Sequence, residues 1–317
     1  MGRSQAIPAR RARTARLLAL AAGAALAAVA IPAAAAAPSA AAQQAKAVSG
    51  GGFHTCALRM NGKVRCWGDD SFGQVSGAPS QASFRSLSAG DSHTCGVRMN
   101  RKLRCWGFDG DGQVSGAPSQ ASFRSLGAGN SHTCGVRMNS KLRCWGFDGD
   151  GQVSGAPSQA SFRSVGAGAS HTCGVRMNRK LRCWGADGSG QVSGAPSQVN
   201  FRSLSAGTSH TCGVRMNRKL RCWGADFFGQ VSGAPSQVNF RSLSAGANHT
   251  CGVRMNRKLR CWGADSSGQA SGAPSQASFR SLSAGAFHNC GVRMNRKLRC
   301  WGDDSFGQST VPPGLSG

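Results

Sequence analysis

The chain has no tyrosine and no glutamate; all 12 of its acidic residues are aspartate. Without glutamate, the longer carboxylate that serves many acid–base sites and closes bidentate calcium loops is missing. Beyond residue 42 no apolar run approaches the length of a membrane-spanning helix, and no segment repeats its apolar residues at helical spacing. These gaps exclude a helical bundle. Negative charge is also scarce, because 38 Lys and Arg stand against 12 Asp for a formal charge of +26. An excess of that size brings anionic partners into consideration.

Five of the basic residues, Arg3, Arg10, Arg11, Arg13 and Arg16, precede an apolar run from Leu17 to Ile31 and a zone of small residues reaching Ala42. A positive head, a short apolar stretch and Ala-x-Ala spacing describe a secretory signal peptide, with cleavage after Ala36 or Ala42. An organelle transit peptide is the alternative. Residues 1–42 are therefore read as signal peptide and small-residue linker, residues 43–308 as the folded domain and residues 309–317 as a C-terminal tail. Removing the five arginines leaves 33 basic residues against 12 Asp, so the mature charge stays near +21.

The domain is repetitive. His54, His93, His132, His171, His210, His249 and His288 are spaced 39 residues apart, and the cysteines keep the same step. Each unit offers three short β segments, of the type "FRSLS", "HTCGVRM" and "KLRCWG", separated by turn residues and followed by "GQVSGAPSQAS". A period near 40 built from short strands argues for one β-propeller blade per repeat. A solenoid would want atypical end repeats, whereas the first and last units here are nearly regular. The expected fold is all-β, a seven-bladed β-propeller of 39-residue repeats, acting as a monomer. The segment "QVSGAPS" is a candidate fourth strand.

The pattern "SAGxxHTCGVR…LRCWGxDxxGQ" resembles the regulator-of-chromosome-condensation type of repeat. It is closer still to the short, secreted, cysteine-containing form of the β-lactamase-inhibitor protein II superfamily. The resemblance covers residues 46 to about 315 and implies a seven-bladed propeller. It implies little about function, since propellers host unrelated activities.

Within a unit the two cysteines are ten positions apart. If Met99, Asn100 and Arg101 form a three-residue loop, Arg98 faces Lys102, Val97 faces Leu103 and Cys95 faces Cys105. A non-hydrogen-bonded pair sets Cα atoms about 4.5 Å apart, within disulfide reach. The first unit, with Asn61-Gly62, reads instead as a two-residue type I′ turn. The expected cross-strand disulfides, one per blade, are Cys56–Cys66, Cys95–Cys105, Cys134–Cys144, Cys173–Cys183, Cys212–Cys222, Cys251–Cys261 and Cys290–Cys300. A zinc site from His93, Cys95 and Cys105 is the competing reading; an oxidising compartment argues against it. "DGDG" at Asp109–Gly112 hints at calcium but lacks a closing glutamate. No metal and no cofactor is expected.

A meander alternates direction, so the two residues before each His and the loop after each Trp-Gly share one face, and the hairpin tips share the other. The units differ almost only on the first face. Phe53, Phe72, Phe108, Phe147, Phe227, Phe228, Phe287 and Phe306 fall there, with Asp69, Asp91 and Asp303, and are the candidate partner-binding residues. Closing the ring is expected to gather Phe53, Phe72, Phe287 and Phe306 beside Asp69 and Asp303. The Asp at the third position after every Trp reads as a turn former, each Trp as a wedge between blades and each His as a bonding partner within them. The opposite face is basic, with Arg98, Arg101, Lys102, Arg104, Arg179, Lys180, Arg218, Lys219, Arg257 and Lys258.

An enzyme needs a unique constellation of nucleophile, base and orienting group. Here every His and Cys recurs seven times in one setting, so a non-enzymatic scaffold is expected. Its variable face would bind an extracellular or cell-surface protein. The alternatives are an anionic polymer (cell-wall polymer, polysaccharide or nucleic acid) on the basic face, and inhibition of an extracellular enzyme.

Overall fold

The computed structural model describes residues 1–2 and 39–317. The expected leader therefore lies outside the described residues, apart from its ends. Among the described residues no helix is long and apolar enough to cross a membrane. A single 3-10 turn, Ala40–Gln43, leads into seven three-stranded antiparallel sheets. In the second blade the inner strand is Phe84–Ala89, the middle His93–Arg98 and the outer Leu103–Gly107. The other six repeat this order. "QVSGAPS" forms turns and adds no fourth strand.

The hairpin register is the one that pairs the cysteines. Val97 faces Leu103 and Cys95 faces Cys105, with equivalent pairs in every blade. All seven disulfides form, with Cα atoms 4.0 to 4.1 Å apart. The three-residue loop demands one left-handed residue. Arg101 supplies it at φ 68°, and Asn100 stabilises the turn by accepting the Lys102 N–H through Oδ1. The first blade does not adopt the expected two-residue turn. Leu58 still faces Val64, and Gly62 alone takes the positive φ. Asn-Gly there makes the shared left-handed position free of steric cost without altering the loop length.

Side chains alternate across a strand, so each blade presents two unlike faces to its neighbours. One carries the disulfide and an aliphatic pair. The other carries Phe and Trp. Thus Cys95, Val97 and Cys105 of the second blade pack on Phe123 and Trp145 of the third. The pairing repeats around the ring. Phe123 lies over Gly135 of its own middle strand, where a Cβ would fall 2.5 Å from the ring. That glycine is what admits the phenylalanine.

Three circles of hydrogen bonds join the blades. Each Trp Nε1 donates to a Gln carbonyl of the preceding unit, from Trp106 to Gln74 at 3.0 Å round to Trp67 and Gln308 at 3.0 Å. Six of the seven His Nε2 atoms meet a Thr Oγ1 of the next blade, as in His54 to Thr94 at 2.7 Å, and His288 closes the circle on Thr55 at 2.7 Å. Thr55 in turn donates to the Gln308 carbonyl. The seventh blade has Asn289 in place of Thr. Its Oδ1 accepts from His249 and its Nδ2 donates to the Gln269 carbonyl, so one amide fills both roles of the hydroxyl. The third circle is pure backbone. It runs from the Gly52 N–H to the Asp91 carbonyl through successive units, and back from the Ala286 N–H to the Gly51 carbonyl.

Closure at the seam uses no exchanged strand. The first blade has Ala45 at the Phe position and Ala57 at the Gly position. The space is filled by Leu315, which packs with Ala45, Ala57, Trp67, Cys290, Val292 and Leu298. Leu298 N–H donates to the Leu315 carbonyl at 2.7 Å, and Lys297 reaches the Gly314 carbonyl.

Candidate interaction faces

Strand direction sorts the loops into two rims. Inner strands start at the hairpin tips, as the Phe84 N–H bond to the Gly62 carbonyl shows, and end at the opposite rim. All 12 Asp lie in loops of this second rim, and all 33 Lys and Arg of the described residues lie towards the tips. Among the described residues no Asp is ion-paired, so the disc carries two separated charges.

On the acidic rim the two variable positions before each His part company. The first faces the axis, where six Ala-Gly turns and Gly50-Gly51 of the first unit line a cavity of about 240 Å³. Asp91, Asn130 and Thr208 are the polar side chains in its lining. Asp91 lies over Gly52, where a Cβ would come within 2.2 Å of its Oδ1. Burial pushes the Asp91 carboxyl up; the Ser92 side chain opposes this and the Asp69 charge adds to it. The cavity was not foreseen from the sequence, although the variability of this position was its visible signal.

The second variable position points along the rim. Phe53 stacks with Phe287 at 5.8 Å between ring centroids and with Phe306 at 5.2 Å. Phe72 does not join them, contrary to expectation. It packs edge-on against Phe108 of the second blade at 4.9 Å. Its loop follows the outer strand of the first blade and leans towards the next unit, away from the seam. Phe227 and Phe228 form a third, separate site and are 85% and 56% exposed. Phe147 is exposed alone, and Phe53 and Phe108 are half-buried by their partners.

Asp69 and Asp303 sit beneath the aromatics. Asp303 Oδ2 accepts from Gln308 Nε2, and Gln308 Oε1 accepts the Phe306 N–H; Asp69, Gln74 and Phe72 repeat the relay. The two aspartates thus brace the loops that display the phenylalanines. The recurrent aspartate has the turn role expected of it, since Asp70 Oδ1 accepts the N–H groups of Val75 and Ser76. Slight burial would raise its pKa, but those bonds hold the carboxyl below its ordinary value.

The seven His rings are buried, which lowers their pKa to about 3 or 4. They are neutral and committed to the blade-to-blade circle. The cysteines are all oxidised, so the competing zinc set has no thiolates.

On the basic rim the ten expected residues divide into three kinds. Lys180 and Lys219 donate to linker carbonyls at Gln198 and Gln237, and Lys102 and Lys258 do the same to Gln120 and Gln276. Arg101, Arg179, Arg218 and Arg257 reach the sulfur of the next blade's methionine, as in Arg101 to Met138 at 3.1 Å. Arg98 and Arg104 have no side-chain partner among the described residues. The methionine ring is a feature the sequence reading missed.

Seven matches to the regulator of chromosome condensation (RCC1) repeat cover residues 45–74, 84–113, 123–152, 162–191, 201–230, 240–269 and 279–308. The chain belongs to this RCC1-repeat family. Among solved structures, the RCC1-repeat ring is similar to the entire ectodomain of the Physcomitrella patens receptor kinase CR4, at 31% identity and a TM-score of 0.71, over 82% of this chain and 74% of that one. It is similar to the ectodomain of the Arabidopsis thaliana receptor kinase ACR4, at 25% identity and a TM-score of 0.68, over 82% and 97%. Saccharomyces cerevisiae Prp20p shares the fold at 17% identity and a TM-score of 0.63, over 75% and 80%. Comparison with the curated proteins returns no match.

Proposed function

We propose that this RCC1-repeat propeller is a secreted, non-enzymatic scaffold that binds a protein partner through the acidic, phenylalanine-bearing rim. The observation that carries the reading is the seam cluster of Phe53, Phe287 and Phe306. These rings cost free energy by their exposure, yet they meet one another at the seam, and the Asp303–Gln308 relay braces the loop that presents Phe306. Aromatic anchors on a rigid frame lose little entropy on docking and dominate interface energetics. The rim is also where otherwise near-identical units differ, as a recognition surface requires. Seven disulfides fit an oxidising compartment, and the likeness to two receptor ectodomains points the same way. Prp20p has binding properties towards Gsp1p and histones, an instance of the fold serving protein recognition in that protein. Inhibition of an extracellular enzyme is one form this binding could take.

The test is capture of a partner from the native extracellular milieu by the immobilised ring, with the protein identified by mass spectrometry. A Phe287→Ala/Phe306→Ala variant should lose that partner by at least about tenfold in affinity, since anchor truncation typically costs 2 kcal/mol or more. Undiminished capture by a folded variant rejects the rim.

A further inference from the structure

The basic half of the ring holds a repeated feature that protein binding by the opposite rim leaves unused. Arg137 and Arg143 project from the middle and outer strands of the third blade, on the face that carries Phe123. With Pro118, Ser119, Gln120 and Ala121 of the preceding linker they line an open recess of about 500 Å³. Arg176 and Arg182, with Pro157, Ser158, Gln159 and Ala160, line an equivalent recess of about 480 Å³ in the fourth blade. Among the described residues none of these four guanidiniums has a hydrogen-bond or ion-pair partner, although the tip lysines and tip arginines beside them are satisfied by linker carbonyls and methionine sulfur. Neighbouring unpaired guanidiniums repel, so an oxyanion between them would remove a cost as well as form charge-assisted bonds.

We infer that the paired-arginine recesses bind the phosphate or sulfate groups of a linear, base-free polyanion that follows the edge of the ring from blade to blade. Three observations select this occupant. The two recesses are 39 residues apart, and the same arginine pair recurs at that step in the other units, in step with a chain bearing charge at intervals. Arg143 pairs with Gly135, two positions above Lys141, so it stands back from the hairpin tips by about 7 Å at the usual strand rise. A flexible chain can enter such recesses, whereas a flat bilayer would rest on the tips. Finally, every exposed phenylalanine is on the other rim, so this half lacks the stacking platforms that hold single-stranded nucleic acids.

The probe is inorganic polyphosphate, with fluorescence or calorimetric titration of the mature protein. Affinity should fall steeply and log-linearly with salt, by about 10³-fold between 50 and 200 mM if six or more phosphates are engaged. Arg137→Gln/Arg143→Gln should weaken binding several-fold and flatten the salt slope. The charge-matched tip variant Arg101→Gln/Arg179→Gln should do clearly less. Arg137 and Arg143 are exposed and Arg101 and Arg179 half-buried, and unchanged thermal melting will verify that each variant folds. Equal losses in the two variants would mean diffuse attraction and overturn the recesses as sites. Tighter binding to single-stranded DNA of equal phosphate number would overturn the base-free ligand, and binding to phosphatidylglycerol vesicles without binding to polyphosphate would overturn the linear one. Phe287→Ala/Phe306→Ala should leave polyphosphate affinity intact, which separates this site from the protein-binding rim.

Discussion

Six of the interfaces between blades are copies of one another, and the seventh is not. In the copies a phenylalanine over a glycine meets a disulfide and an aliphatic pair. At the seam two alanines stand in for the Phe and Gly, and Leu315 arrives from the far end of the chain to fill the gap. The backbone bonds are nevertheless the same. Ala45 N–H donates to the Arg296 carbonyl at 2.8 Å, just as Phe84 N–H does to the Gly62 carbonyl at 2.8 Å. The ring therefore closes by the geometry of its repeats, and only the hydrophobic filling is improvised. The proposed anchors follow the same division, because the seam is also where Phe53, Phe287 and Phe306 converge.

Acid should have the largest effect and test whether the seven interfaces act together. The unfolded His pKa is near 6.5, whereas burial lowers the folded values to about 3 or 4. Stability is then complete above pH 6.5 and is lost as the pH falls towards 4, because the unfolded chain takes up the protons first. All seven buried rings act in the same direction, so their joint loss is large against the usual ~5–15 kcal/mol of net stability. Circular dichroism should show one cooperative acid transition within that window. Two separated transitions would mean that the seam, with His288 on Thr55, opens alone.

Phe201→Ala in a repeating interface should cost about 3–5 kcal/mol by chemical denaturation, and Leu315→Ala at the seam about 2–5 kcal/mol. A negligible loss for Leu315 would show that the tail merely rests on the ring. Smaller still, Gly174→Ala places a Cβ 2.4 Å from the Phe162 ring and should cost about 1–3 kcal/mol. The reverse change at the seam, Ala57→Gly, removes only a methyl from a strand and should cost about 1 kcal/mol or less. If Gly174→Ala is harmless, the Phe–Gly fit is not what distinguishes the two kinds of interface.

Much of this molecule could be read from short-range pattern. The hairpin register followed from the need for a single left-handed residue at Arg101, and the cysteine pairing followed from that register. Tryptophan as a wedge and the recurrent aspartate as a turn former were legible for the same reason, since identical units must solve identical local problems. The errors concern places where the units differ. Asn61-Gly62 suggested a shorter turn on local propensity, but the disulfide and the neighbouring blades impose the common loop. Phe72 was placed with the seam aromatics because it shares their rim; the lean of its loop puts it on Phe108.

What the sequence by itself determined is the period, three of the strand positions in each unit, the pairing of Cys95 with Cys105 and its copies, and the sorting of Asp from Arg and Lys onto opposite rims; that no fourth strand joins them was left to the structure. All of these depend on residues near one another along the chain or on alternation of direction. The tertiary structure decided how Leu315 completes the first blade, which phenylalanines meet, that a cavity opens at the axis, and which arginines remain unpaired. Those outcomes depend on how neighbouring units pack and how the closed ring curves, which no residue pattern along the chain records; at the seam this brings Ala45 beside Leu315.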